Sequence, residues 1–163
     1  MVVVADSSPI IVLMKIGHIQ ILPALFATVI IPPQIAAELS DGKRPQPVRD
    51  LIASKPDWLQ VHAPAVIEPI PELHEGEQAA ISLATELQAG LLLIDEMVGR
   101  DAALARKLIV TGTIGILERA AKRGFLDLNN AFGLLRKTNF WISATFLDDR
   151  LEKFRQWQRL AEQ

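Results

Sequence analysis

The sequence predicts an α/β fold with a central, mostly parallel, twisted sheet of about four or five strands and helices on both faces. Three observations carry that expectation. Short apolar runs of strand length alternate with helical patterns along the chain, two of those runs end in an acidic residue, and 50% of the 163 residues are apolar. Such alternation is the signature of strand–helix–strand units, and the apolar fraction excludes disorder.

The elements follow in order. Val2-Val3-Val4 is a β-branched run ending at Asp6, and Ser7-Ser8-Pro9 reads as a helix start with Ser8 as N-cap and Pro9 at the first helical position. Residues 28–31 form a second apolar strand running into Pro32-Pro33 and a short helix over 34–39, which carries Glu38. Residues 41–73 are richer in Pro and charge, with a helix expected at 49–53 and an edge strand at 59–62. Residues 73–89 place Ala79, Ala80, Ile81, Leu83, Ala84 and Leu87 at helical spacing, with Gly90 expected in the C′ position. Leu91-Leu92-Leu93-Ile94 is continuously apolar, as suits a parallel strand buried on both faces, and it ends in Asp95-Glu96. Then come a helix at 100–108, a short strand Ile109-Val110, a turn Thr111-Gly112-Thr113, and a helix over 114–123 stopped by Gly124. Two amphipathic helices, 127–138 and 145–160, complete the chain. With no repeat or linker, the expectation is one domain over 1–163, residues 127–163 being a C-terminal helical extension.

Composition narrows the function classes. Zero cysteines exclude disulfides, thiolate zinc sites and cysteine nucleophiles, and fit a reducing compartment. The N-terminus lacks a basic region followed by a long apolar stretch, and no apolar run reaches membrane-span length, so a cytoplasmic protein without a membrane partner is expected. The net charge of −2 hides a partition: residues 1–97 hold 5 basic and 12 acidic side chains, residues 98–163 hold 12 basic and 7 acidic. A balanced total therefore leaves room for an acidic site and a basic flank.

In a parallel sheet, ligands bind beyond the carboxyl ends of the strands. Asp6 and Asp95 take that edge by sequence position, with Glu38 about two turns into a following helix and Glu77 in the first turn of the helix before the Asp95 strand. Each acid taken singly is ordinarily a solvated or capping residue. Two carboxylates ending buried strands, however, raise each other's pKa unless a cation lies between them. His18, His62 and His74 show no paired ligand spacing, so an all-oxygen set selects Mg2+ or Mn2+.

These residues resemble a PIN domain, the fold of metal-dependent ribonucleases that includes the VapC-like toxins of bacterial toxin–antitoxin systems. The resemblance covers nearly the whole chain. It rests on Val4-Ala5-Asp6-Ser7-Ser8, Ile31-Pro32-Pro33 with Ala37-Glu38-Leu39, Glu75-Gly76-Glu77 with Ala79-Ala80-Ile81, and Leu93-Ile94-Asp95-Glu96. Gly99-Arg100, Thr111-Gly112-Thr113 and Gly115 are similar to a PIN-like subgroup related to those toxins. The family's four acids then fall on Asp6, Glu38, Glu77 and Asp95 as catalytic and metal-binding residues, with Glu96 either orienting a metal-bound water from behind them or simply solvated. Two departures stand out: many members have Asp in place of Glu77, and this subgroup often has Asp in place of Glu96. The resemblance implies Mg2+- or Mn2+-dependent hydrolysis of RNA, products with 3′-hydroxyl and 5′-phosphate ends, a small antitoxin as partner, and a homodimer.

Ser7, Ser8, Arg100, Thr111 and Thr113 are the candidate substrate-binding residues, although capping for Ser8 and a turn role for the threonines are the simpler readings. Arg106, Lys107, Arg119, Lys122 and Arg123 could collectively meet RNA phosphates, with Trp58, Trp141 and Trp157 as stacking candidates. Two alternatives compete. One is a non-catalytic PIN-like interaction module with a degenerate metal site, binding nucleic acid or a partner protein. The other is a phosphoacceptor receiver domain, disfavoured because Asp6 is followed by Ser7-Ser8 rather than by an acidic pair.

Overall fold

The structure, a computed structural model, describes residues 1–163. The chain divides into two compact units, Met1–Thr113 and Ile114–Gln163.

The first unit contains β1 (Val3–Ala5), α1 (Ser7–Lys15), α2 (Ile21–Phe26), β2 (Val29–Ile31), α3 (Pro33–Ser40), α4 (Gln46–Ser54), β3 (Leu59–Val61), α5 (Glu75–Glu86), β4 (Leu91–Leu93), α6 (Met97–Ala105) and β5 (Val110–Thr111). The five strands form one sheet in the order β3-β2-β1-β4-β5, every pair parallel, as the sequence led one to expect. The register Val4↔Ile30, Val4↔Leu92 and Leu92↔Val110 lines up one row of apolar side chains across four strands. That row joins Ala80, Ile81 and Ala84 of α5 and Ala103 of α6 in one apolar cluster. The alternate row, Val3, Ala5, Val29, Ile31, Leu91 and Leu93, points to the other face and is equally buried. Both faces being covered explains why β4 reads as an unbroken apolar run.

Strand order decides where a ligand can sit. The chain steps outward from β1 to β2 to β3, returns past both to lay β4 on the other side of β1, and steps on to β5. Right-handed crossovers then place α1 to α4 on one face and α5 and α6 on the opposite one. The connections leaving β1 and β4 diverge, and the space between two such carboxyl ends is where sheets of this kind form a ligand-binding crevice.

Several element boundaries differ from the sequence expectation, each for a local reason. Helix α1 starts at Ser7 with Asp6 at the N-cap position, so Ser8 is not the cap. Pro9 is tolerated in its first turn because N–H groups there have no intrahelical acceptor to lose. Helix α5 stops at Glu86, and Gln88 (φ 50°) takes the left-handed position that Gly90 was expected to hold. Gly90 instead donates its N–H to Val2 O at 2.9 Å, and a Cβ there would run into the Met1 side chain. Helix α6 begins at Met97, three residues early, because Glu96 caps it by accepting the Gly99 N–H at 3.0 Å. Thr111 belongs to β5, and Thr113 opens the next helix instead of closing a turn.

The second unit is helical. It continues α7 (Thr113–Lys122) and adds α8 (Leu128–Arg136) and α9 (Ala144–Ala161). Gly124 (φ 75°) ends α7 in the left-handed conformation that glycine adopts without strain. Asp127 caps α8 by accepting the Asn130 N–H at 2.7 Å, and Ser143 caps α9 by accepting that of Phe146 at 3.1 Å. Arg150 of α9 forks onto both carboxylate oxygens of Glu118 in α7. No helix in the chain is long and apolar enough to cross a membrane.

Candidate metal centre at the strand-order reversal

Asp6 and Asp95 leave adjacent strands at the crevice. Ala5 is in register with Leu93, and the Asp6 N–H donates to Leu93 O at 2.9 Å, which carries the ladder one residue past β1. That bond fixes the Asp6 backbone at the mouth of the sheet, and the residue is only 4% exposed. Burial pushes its pKa from 3.8 up to about 7, with the negative charges of Glu77, Glu38 and Asp95 adding to the rise. The Ser7 backbone N–H opposes the shift but does not overcome it. A charged carboxylate held in that place is poorly solvated and surrounded by its own sign.

Asp95 is held from three directions. The Thr113 N–H donates to Oδ1 at 2.6 Å, the Thr113 hydroxyl to Oδ2 at 2.8 Å, and the Ser8 hydroxyl to Oδ2 at 3.1 Å. Thr113 is completely buried, so the start of α7 serves as a rigid support for this carboxylate. Gly112 permits the approach: a Cβ there would lie 2.6 Å from Asp95 Oδ1 and 2.9 Å from Arg100 Nη1. Arg100, one turn into α6, donates to Ile94 O at 3.2 Å, which sets its guanidinium beside the same glycine.

Glu38 and Glu77 reach the site from helices. Helices α3 and α5 meet where Gly76 faces Glu38, and a Cβ on Gly76 would overlap Glu38 Oε1 and stand 2.8 Å from Ile35 Cδ1. Glu77 is the third residue of α5, three positions after His74 at the N-cap, and the His74 backbone N–H acts to lower its pKa. Its Oε2 is buried with no hydrogen-bond partner. Burial raises the Glu77 pKa, Glu96 and Glu38 raise it further, and the His74 charge lowers it. Glu96 itself is an exposed cap whose charge is felt at Glu77.

The structure thus brings Asp6, Glu38, Glu77 and Asp95 into one electrostatic neighbourhood, with Glu96 at its edge. Among the other sequence candidates, Ser8 and Thr113 touch Asp95, Arg100 lies beside it, and Ser7 is buried behind Asp6. Thr111 differs: in β5 its carbonyl accepts the Ile94 N–H at 2.9 Å, and Thr113 is the threonine whose hydroxyl reaches an acid. Sequence reasoning passed over His74, which lacks a partner at metal-ligand spacing. Its position three residues before Glu77, N-cap to third helical residue, is the signal that places it there. An open cavity of about 500 Å3 adjoins Glu38, lined by Pro33, Gln34, Asp41, Glu75 and Gly76 among others.

The donor set suits a hard divalent cation. All four groups are carboxylates, the oxygen ligands that Mg2+ and Mn2+ prefer, and the orphaned Glu77 Oε2 lacks the partner a buried oxygen normally has. As they stand, no three acidic or imidazole side chains are grouped tightly enough to hold a metal ion. Mutual repulsion among unneutralised carboxylates favours such spacing.

One substitution tests the α3–α5 contact. Gly76→Ala gains helix propensity of about 1 kcal/mol but must push the Glu38 carboxyl aside, the atoms it meets being the movable ends of side chains. The expected result is a melting temperature changed by little and divalent-ion affinity lowered about ten-fold, measured by calorimetric titration. Unchanged affinity would show that Glu38 is not confined by this contact.

The chain matches the profile of a family described as a PIN domain over residues 2–156. No curated protein and no solved structure matches it. A match of that extent, on a five-stranded parallel sheet whose reversal point carries the acids, means that the chain belongs to the PIN-domain family, a nuclease-type family that typically uses divalent metals.

Proposed function

We propose that this protein is a Mg2+- or Mn2+-dependent endoribonuclease. The observation that carries the reading is Asp6: an acid 4% exposed at the strand-order reversal, with three further carboxylates acting on it. A structural role is a poor explanation for a buried Asp6 with three further carboxylates placed where their charge raises the cost of ionising it. In this reading Asp6, Glu38 and Asp95 hold the ion, directly or through water, and Glu77 completes the set with its unpartnered Oε2. The bound ion supplies Lewis-acid polarisation of a phosphate oxygen and lowers the pKa of a water molecule.

The chain's own groups do the positioning. Thr113 and Ser8 hold the Asp95 carboxylate in place with three hydrogen bonds, and Arg100 offers a guanidinium to the scissile phosphate. The open cavity of about 500 Å3 beside Glu38 has Gln34, Glu38, Asp41 and Glu75 in its lining, acceptors that suit hydroxyl or amino donors of RNA. Cleavage leaving 3′-hydroxyl and 5′-phosphate ends is the expected outcome. A toxin role, with a small antitoxin held near the acidic groove, a homodimeric state and a cytoplasmic setting, extends the same reading by its likeness to VapC-like members.

The test is calorimetric titration of Mn2+ into the purified protein and into Asp95→Asn, with circular dichroism to confirm folding. The parent should bind, and the variant should bind at least about ten-fold more weakly. An absence of binding in the parent favours the non-catalytic interaction module, a reading to which the loose spacing of the acids lends support. Full-strength binding in the variant would reject Asp95 as a ligand.

A further inference from the structure

In the second unit, charge and aromatic surface coincide in a way that capping and packing do not explain. Arg119, Lys122 and Arg123 lie at i, i+3 and i+4 at the end of α7 and beyond it, all exposed and none in an ion pair. The Lys122 ammonium stands 5.4 Å from the centroid of the Trp157 ring, and the Arg123 guanidinium 4.9 Å from that of Phe125. Both aromatic residues remain open to solvent, Trp157 at 39% and Phe125 at 43%. Trp157 is also braced by Phe154 one turn earlier, with ring centroids 5.5 Å apart. Lys153, four residues before Trp157 on α9, adds an exposed cation with no ion pair.

The acids of this unit do not neutralise the face. Of its six acids, Glu118, Asp148 and Glu152 are taken by Arg150, Arg136 and Arg159, Asp127 is committed to capping α8, and Asp149 and Glu162 pair with none of the cations of this face. The helix dipole favours cations in the last turn of α7, but it gives no reason for half-exposed rings beneath them.

From this geometry we infer that the Arg119–Lys122–Arg123 face with Phe125 and Trp157 is a docking surface for single-stranded RNA. The inference rests on the reading of the protein as one that acts on RNA, and it assigns that substrate a second point of attachment on the helical unit. Polyanion charge complements the unpaired cations, and bases can exchange with the cations over the open rings, a combination of backbone track and stacking platform that serves single strands without sequence preference. Arginine and aromatic residues are also enriched at protein interfaces, but charged groups as a class are depleted at their centres, and an unpaired cation stands over each of these two rings.

The experiment measures binding of a fluorescein-labelled, mixed-sequence single-stranded RNA to the full chain in EDTA, where no metal-dependent cleavage occurs, over a range of salt concentrations. Arg119→Ala/Lys122→Ala/Arg123→Ala is expected to weaken binding at least about ten-fold and to reduce the slope of log K against log salt by about 2, since each single-strand phosphate contact contributes about 0.7. Trp157→Leu should weaken binding about ten-fold with little change in slope. The single variant Arg119→Lys, which keeps the charge, should retain parental affinity and slope, and circular dichroism checks that every variant is folded. Parental affinity and slope in the folded triple variant would overturn the inference. So would a dimeric parent that Trp157→Leu converts to monomer without altering RNA binding, since the face is then a protein interface. Mn2+-dependent cleavage is assayed separately: its absence in a parent whose RNA affinity depends on these residues would reject the nuclease reading and leave the docking surface standing.

Discussion

Asp6→Asn is expected to abolish RNA cleavage and most divalent-ion binding while making the metal-free protein more stable at pH 8. The two effects have one cause. The folded Asp6 carboxyl has a pKa of about 7 against 3.8 when free, so between those values the folded chain holds a proton that the unfolded chain has released. Stability contributed by that proton is fully present below about pH 4 and is lost as pH rises through 7, at up to about 1.4 kcal/mol per unit. Ionising the site in the absence of a cation therefore costs about 4 kcal/mol in all, an upper figure because other groups relax. Asparagine removes the charge and keeps an oxygen able to accept the Ser7 N–H at the helix start. Urea unfolding of the metal-free proteins at pH 5 and pH 8 tests this. The parent should lose stability across the interval and the variant much less, with Glu77, also raised, leaving a residual slope of the same sign in both. Adding Mn2+ at pH 8 should stabilise the parent and not the variant. A variant less stable than the parent at pH 8 would mean that the Asp6 charge is compensated within the chain, and the central reading of the site would lose its basis.

Thr113→Val should reduce cleavage by about 10- to 100-fold without any residue touching the RNA having been altered. Thr113 is completely buried and gives Asp95 two of its three hydrogen bonds, one from its backbone and one from its hydroxyl. Valine keeps the backbone donor and the side-chain shape but removes the hydroxyl, leaving Asp95 Oδ2 with Ser8 alone at 3.1 Å. Losing a hydrogen bond to a charged group costs about 1.5–3 kcal/mol of stability when that charge is present. Thr113→Ser restores the donor and should restore both activity and Mn2+ affinity. Affinity unchanged by valine would show that Asp95 is oriented by the Thr113 N–H and Ser8 without the hydroxyl.

Much of the fold could be read from the chain because its strands are short, apolar and bounded by acids or turn residues. The Leu91–Leu93 run implied a strand buried on both faces, and β4 lies between two parallel neighbours. Helix boundaries were less legible, since they depend on partners distant in sequence. Ser8 looked like a cap because Pro9 follows it, yet its hydroxyl is given to Asp95, 87 residues away. Glu96 looked like part of an acidic site, and its first task is to cap α6. Gly76 and Gly112 stand inside motifs that carry the resemblance, but only the packed chain shows carboxylates where their side chains would be.

Sequence by itself determined the class of the fold, the parallel sheet and the identity of the acids at the strand ends, because period, burial and strand length are local properties of the chain. The tertiary structure alone decided that β4 returns to the side of β1 opposite β2, and with that reversal that Asp6 and Asp95 share a crevice, that Glu38 and Glu77 reach it from helices, and that Asp6 sits deep enough to resist ionisation. Proximity between residues scores of positions apart is a consequence of strand order, and burial of a charge depends on everything packed around it; neither is written in any one segment.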